Sequence, residues 1–176
     1  NKVAEDLMGM CLAERGLALL DRGGPGDVGA ALRDADAALR CVALSVDTRA
    51  QALLVRGMAH AQLGGTSDID SAKEDVQRVL TSPGCGPTTR ALAIVYLGHL
   101  SAGRRYDGNL TSAIANYSDA LTTDNLPASL VRDARLARAQ AYAERAQDED
   151  IALAIVDADA LLADPGCMTD LRARAL

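Results

Sequence analysis

The chain has 176 residues and a net charge of −6, and 49% of its residues are apolar. An acidic chain with only two lysines, Lys2 and Lys73, lacks the clustered cationic surface that grips nucleic acid or anionic membranes, so we expect neither as a partner. No apolar run approaches the ~20 residues that a membrane-spanning helix needs, and no signal-peptide pattern opens the chain. Trp and Phe are absent, so Ala and Leu supply most of the packing surface, which suits closely apposed helices.

A 41-residue repeat runs through the chain four times. Residues at the same place in successive repeats, which we call a repeat position, are small or apolar at several places: Gly16, Gly57, Gly98 and Ala139; Ala31, Ala72, Ala113 and Ala154; Ala35, Val76, Tyr117 and Ala158. A period of about 20 to 50 residues is typical of stacked units that bury their apolar faces against their neighbours.

Residues that commonly cap helices mark the predicted start of the first helix of each repeat: Asp6, Asp47, Thr88, Ser129 and Asp170. We therefore place the repeats at 6–46, 47–87, 88–128 and 129–169, in a single array over 1–176. Residues 170–176 are predicted to begin a fifth first helix and to stop after about two turns. This pattern favours a truncated array.

The second helix of each repeat is predicted to start at a further set of capping residues: Asp27, Asp68, Asn109 and Asp150. Turn-rich segments such as 23–26 precede them, so each repeat is a helical hairpin. A glycine inside the first helix costs ~1 kcal/mol relative to Ala, so its recurrence indicates that another backbone passes close by. The expected neighbours of these glycines are Ala31, Ala72 and Ala113.

The pattern resembles the tetratricopeptide repeat, in which a small residue on the first helix packs against an Ala on the second, followed by an aromatic residue and another Ala. The match is best at Ala113, Tyr117 and Ala120. The repeat is longer than the ~34 residues usual in that family. The Sel1-like repeat is the less similar relative, since its Gly-rich loop and paired aromatic residues are missing. The resemblance implies an all-α, right-handed α-solenoid of about four antiparallel helix-turn-helix hairpins plus part of a fifth first helix.

Arginine and aspartate vary together between repeats. Repeats one, two and four carry an Arg on the first helix and an Asp on the second, whereas repeat three carries Leu97 and Asn116 at those positions. We predict an ion pair across each of these three hairpins, Arg15 with Asp34, Arg56 with Asp75, and Arg138 with Asp157. The alternative is that all six are solvated surface charges.

Catalytic chemistry is not indicated. His60 and His99 are the only histidines, and neither has a partner at helical spacing that suits a metal or a catalytic pair. No phosphate-binding loop, zinc-protease or nucleophile-elbow motif occurs. We expect no catalytic residue, metal or cofactor and interpret the protein as a non-enzyme.

The four cysteines, Cys11, Cys41, Cys85 and Cys167, form no CxxC pair. We expect four free thiols, which favours a reducing compartment and a cytoplasmic location.

The resemblance implies a concave groove that presents two residues from each first helix: Ala13, Leu17, Leu54, Met58, Val95, His99, Leu136 and Gln140. The groove is apolar over three units and turns polar in the fourth. The leading hypothesis is a non-catalytic protein-protein interaction scaffold that binds a peptide or helix of a partner in this groove.

Two alternatives stay open. In the first, the groove is covered by segments of a longer protein or by a second copy, and the chain self-associates through the groove or through its open C-terminal end. In the second, the chain is a regulatory, targeting or oligomerisation domain of a larger protein, such as an enzyme, whose other domains lie outside these residues.

Overall fold

The computed structural model describes residues 1–103 and 109–166 and is all-α over these ranges, which confirms the predicted fold class. The described residues form eight helices: α1 Lys2–Arg22, α2 Asp27–Leu39, α3 Val46–Leu63, α4 Thr66–Thr81, α5 Pro87–Ala102, α6 Leu110–Leu121, α7 Ala128–Arg145 and α8 Asp150–Leu162. The predicted fifth first helix, starting at Asp170, lies outside the described residues.

The chain divides into two compact units, Asn1–Ala93 and Ile94–Leu176. In the first unit α1 packs on α2, α2 on α3 and α3 on α4, and the two first helices α1 and α3 also touch. In the second unit α6 packs on α7 and α7 on α8. Within each unit, consecutive helices thus pack on one another, as in a helical solenoid.

Alanines and glycines let the helices of the first unit approach closely. Ala31 and Ala35 of α2 have no exposed surface and share a core cluster with Val55 and Ala59 of α3. A Cβ atom added at Gly57 would lie 3.3 Å from the carbonyl oxygen of Ala72, so the predicted close approach is present there.

The second unit departs from this expectation at Gly98. The atoms nearest to a Cβ added at Gly98 belong to the Tyr117 ring, at 2.5 Å, and not to the predicted neighbour Ala113. Tyr117 occupies the repeat position of Ala35 and Val76, neither of which supplies the atoms nearest to a Cβ added at Gly16 or Gly57.

The first helices start earlier than predicted. α1 begins at Lys2 and is capped by Asn1, whose side chain accepts from the N–H of Val3, so Asp6 lies inside the helix. α3 is capped by Ser45 and not by Asp47. α5 and α7 each begin one residue before the predicted Thr88 and Ser129.

The misplaced aspartates have another role. The Asp6 carboxylate accepts from the N–H of Ser45 at 2.7 Å, and the Asp47 carboxylate accepts from the N–H of Gly86 at 2.8 Å. Each aspartate therefore ties its first helix to the segment that leads into the next one. A carboxylate near a helix start accepts from a backbone N–H whether it caps its own helix or binds the segment before the next one, so residue type alone does not distinguish the two roles.

The second helices agree more closely with the prediction. Asn109 caps α6 by accepting from the N–H of Ser112, whereas Asp27 and Asp150 are the first residues of α2 and α8. α4 starts at Thr66, two residues before Asp68, and Gly65 precedes it in an extended conformation.

Candidate functional site

A groove lies between α1 and α3 in the first unit. Ala13 and Leu54, each 2% exposed, form its floor, and the half-buried Leu17 and Met58 flank them. The remaining lining residues are Glu14, Gln51, Val55 and Leu92. The groove thus brings together the four predicted site residues of repeats one and two.

The size and charge of this groove restrict what it can hold. Its cavity of about 80 Å³ is several times the ~10–15 Å³ that one water molecule requires, which leaves room for an aliphatic side chain. Of the lining residues, Glu14 carries a negative charge and none carries a positive charge. The groove therefore suits an apolar group with a cation beside it and disfavours an anionic ligand.

The four predicted site residues of repeats three and four lie in the second unit and do not share one environment. Val95 is 3% exposed, and so as deeply buried as Ala13 and Leu54 on the groove floor of the first unit. His99 and Gln140 are exposed, and Leu136 is 46% exposed. Only Leu136 among these four offers exposed apolar surface.

His99 is held by Tyr117. A hydrogen bond of 3.0 Å joins His99 Nδ1 to the Tyr117 hydroxyl, and the rings meet edge to face with centroids 5.4 Å apart. Desolvation lowers the pKa of His99, against an opposing effect of Asp133, although part of the ring remains exposed. Burial raises the pKa of Tyr117 to about 12. Both groups are therefore neutral at pH 7, which suits a packing role.

All three predicted Arg–Asp pairs are present, and each is bidentate. The Nε and Nη2 groups of the arginine donate to both carboxylate oxygens at 2.7 to 2.8 Å: Arg15 to Asp34, Arg56 to Asp75, and Arg138 to Asp157. The hydrogen bonds that Arg56 donates to Asp75 raise the pKa of Arg56 further above its already high value. The aspartates are buried, so the alternative of solvated surface charges does not hold.

Two of these arginines also reach the preceding repeat. The remaining nitrogen of Arg56, Nη1, lies 3.3 Å from the carboxylate of Asp36 on α2, and Nη1 of Arg138 donates to the hydroxyl of Ser118 on α6 at 3.0 Å. Asp36 and Ser118 occupy the same repeat position. Each arginine thus joins its own hairpin and links that hairpin to the one before.

A second set of ion pairs was not predicted. Arg22 binds both oxygens of Asp27, and Arg145 binds both oxygens of Asp150, at 2.6 to 2.9 Å. Each aspartate also accepts a loop N–H, from Gly24 and Gln147 respectively. These bonds close the turn between the two helices of a hairpin.

The repeat carried a signal for this second set. Arg22, Arg104 and Arg145 occupy one repeat position, and repeat two has Leu63 there. In repeat two the aspartate Asp68 pairs with His60 instead, at 3.0 Å. His60 therefore substitutes for the missing arginine.

The described residues contain no group of three or more His, Cys, Asp or Glu side chains that could hold a metal ion. None of the described helices is long and apolar enough to cross a membrane. Cys11, Cys41 and Cys85 are free thiols, and Cys167 lies outside the described residues.

Comparison with protein-family models, with curated proteins and with solved structures finds no match to this chain. The residues of the groove and the repeat itself are therefore the basis for a proposed function.

Proposed function

We propose that the protein is a non-catalytic interaction scaffold whose α1–α3 groove binds an apolar side chain of a partner peptide or helix. The observation that carries the proposal is the cleft over Ala13 and Leu54, which is lined by aliphatic side chains and open to a ligand. Burial of one Leu-sized side chain contributes about 1.5 to 3 kcal/mol, so such a groove serves as an anchor within a larger contact.

The rim of the groove supports a basic partner segment. Glu14 is exposed beside the cleft, and the whole chain has a net charge of −6. A Lys or Arg flanking the apolar anchor would meet a favourable charge, and an exposed pair of this kind contributes about 0.2 to 1 kcal/mol. Charge therefore adds selectivity and association rate more than affinity.

The resemblance to the tetratricopeptide repeat supports the same proposal, because it implies that first helices line the concave side of the array. The described contact between α1 and α3 fits that arrangement. Partners bound in this way present apolar anchors at helical or extended spacing, following the helix-in-groove mode.

The test uses a display library of random dodecapeptides selected on the folded protein. We expect enrichment of sequences with one aliphatic anchor next to a Lys or Arg. The best peptide, resynthesised, should bind Leu17→Glu and Met58→Glu at least about tenfold more weakly than it binds the wild type. The apolar anchor of the peptide would bury the new carboxylate without giving it a hydrogen-bonding partner. Leu54 is too buried for this test, because a Glu there would unfold the unit.

The matched control is Leu63→Glu, an equally drastic change at a half-exposed position on α3 outside the groove. It should bind the peptide as the wild type does, and circular dichroism should show the same helix content for all variants. Selection of no anchor motif, or equal binding by Met58→Glu and Leu63→Glu, would contradict the proposal.

A further inference from the structure

The last described helix, α8, has an open apolar face. Ile151, Ile155 and Leu162 lie on one side of the helix and are exposed, Leu162 to 77%. Leu153 and Val156 are exposed on other sides of the same helix. An apolar surface of this kind on a charged, acidic chain is a candidate interaction site.

The repeat indicates what kind of surface covers this face. Ile151, Ile155 and Leu162 occupy the same repeat positions as Val28, Leu32 and Leu39 on α2. Val28 and Leu32 pack against the cluster that contains Val55 and Ala59 of α3, and Leu39 packs against the cluster that contains Ala52 of α3. The α8 face therefore has the chemistry of a face that receives a first helix.

α1 is a first helix whose corresponding side is open. Cys11 and Ala18 on α1 share repeat positions with Ala52 and Ala59 on α3, and both are exposed, whereas their α3 counterparts are fully buried. The exposed Leu7 extends the same side of α1. The chain thus carries both halves of the contact that α2 and α3 make inside the first unit.

Charge complementarity points to the same pairing. Arg56 reaches Asp36, and Arg138 reaches Ser118, across the contact between a second helix and the next first helix. The residues at the matching repeat positions on the two open faces are Arg15 on α1 and Asp159 on α8. The Arg15 side chain is 65% exposed while bound to Asp34, and Asp159 is exposed.

We propose that α1 of one copy of this chain packs on α8 of a second copy, repeating between chains the contact that α2 makes with α3, with Arg15 opposite Asp159. The interface is heterologous, since two different surfaces meet. It does not depend on the groove function proposed above.

One residue weakens this contact. Glu14 of α1 occupies the repeat position of Val55, so a carboxylate stands where the internal contact has an aliphatic side chain. Glu14→Val should therefore tighten self-association about tenfold, because it adds a Val-sized apolar group and removes the desolvation of a charge.

The test is sedimentation of the full chain under reducing conditions, from micromolar to submillimolar concentration. We expect reversible association of the wild type. Ala18→Glu blocks the α1 face and the double variant Ile155→Glu, Leu162→Glu blocks the α8 face, so each alone should be monomeric. Mixed together they should form a heterodimer, because each variant keeps one intact face. Val42→Glu, at an exposed site on neither face, is the control and should associate as the wild type does.

Three outcomes would overturn the proposal. The first is that the wild type and Glu14→Val both stay monomeric over the whole concentration range. The second is that the two blocked variants fail to form a heterodimer, and the third is that Ala18→Glu alone still dimerises, which would mean that α8 packs on α8. Residues 167–176 are the competing occupant of the α8 face. If they cover it, the full chain is monomeric, which is the first of these outcomes, and only a chain ending at Gly166 associates.

Discussion

Among single residues, Asp75 illustrates how a buried carboxylate depends on its partner. Asp75 is 3% exposed and is bound on both carboxylate oxygens by Arg56, while Arg78 lies farther away at 3.9 Å. A buried carboxylate that loses its partner keeps the full cost of desolvation. The intact pair therefore adds little net stability, whereas removal of the arginine alone is strongly destabilising.

Arg56→Leu should therefore destabilise the protein by about 3 to 5 kcal/mol, since it leaves Asp75 buried without its main partner. The double variant Arg56→Leu, Asp75→Asn copies the Leu97 and Asn116 of repeat three and should recover most of that loss. Urea unfolding of both single variants and the double variant measures the coupling between the two sites.

Arg78→Leu is the matched control for this cycle. Arg78 is exposed and pairs with the exposed Glu74, so its loss should change the free energy of unfolding by no more than about 1 kcal/mol. A double variant as unstable as the sum of its two single variants would show that Arg56 and Asp75 do not act as a pair.

Residue-level prediction from the sequence succeeded where repeats differed from each other. The Arg–Asp pairs across the hairpins were visible because repeat three lacks both partners. The Arg22–Asp27 pair was not predicted, because an aspartate at a helix start also suits a capping role. Periodicity identifies a helix face but not how deeply that face is buried, so the low exposure of Val95 could not be predicted from the sequence.

At the level of helices and loops, the turn of the fourth hairpin has non-glycine residues in the left-handed conformation. Ala146 ends α7 at φ 49° and Glu149 precedes α8 at φ 72°, both in the left-handed region. Repeat one has Gly23 and Gly26 at these positions, with φ values of 64° and 82°. A non-glycine residue in this region costs about 1 to 2 kcal/mol, so the fourth turn is strained where the first is not.

Ala146→Gly and Glu149→Gly should each raise the free energy of unfolding by about 0.5 to 1 kcal/mol, because relief of the left-handed strain exceeds the added flexibility of the unfolded chain. Thermal or urea unfolding measures the change. Ala152→Gly, at an exposed position inside α8, is the control and should lower stability by about 1 kcal/mol. Destabilisation by all three glycines would contradict the strain argument.

Helix existence was easier to predict than helix starts. The repeat and its apolar spacing gave every described hairpin, but capping types occur one to four residues from the true starts, as at Asp6 and Asp68. The left-handed turn at Ala146 had no local signal, because nothing about alanine favours that conformation. Only comparison with Gly23 at the same repeat position could have indicated it.

At the scale of the whole molecule, carboxylates in both units make stability depend on pH. Hydrogen bonds from Arg22 and then Gly24 hold the pKa of Asp27 below its usual value, and those from Arg145 and Gln147 do the same for Asp150. Asp150 is only 2% exposed, and burial acts to raise its pKa, but the hydrogen bonds from Arg145 and Gln147 outweigh that effect. A pKa lowered by folding stabilises the protein above the unfolded value of about 3.9, and this stabilisation disappears as the pH falls through the folded value.

The double variant Asp27→Asn, Asp150→Asn should therefore be less stable than the wild type at pH 7, and the difference should shrink as the pH falls below about 4. An amide cannot form the charge-assisted bonds to Arg22 and Arg145, but at low pH the protonated carboxyl groups cannot form them either. Urea midpoints measured from about pH 7 to pH 3 test this expectation. For Asp70→Asn, at an exposed position on α4, the urea midpoint should follow that of the wild type at every pH. A gap between the double variant and the wild type that is the same at both ends of the range would show that these two carboxylates do not contribute to acid unfolding.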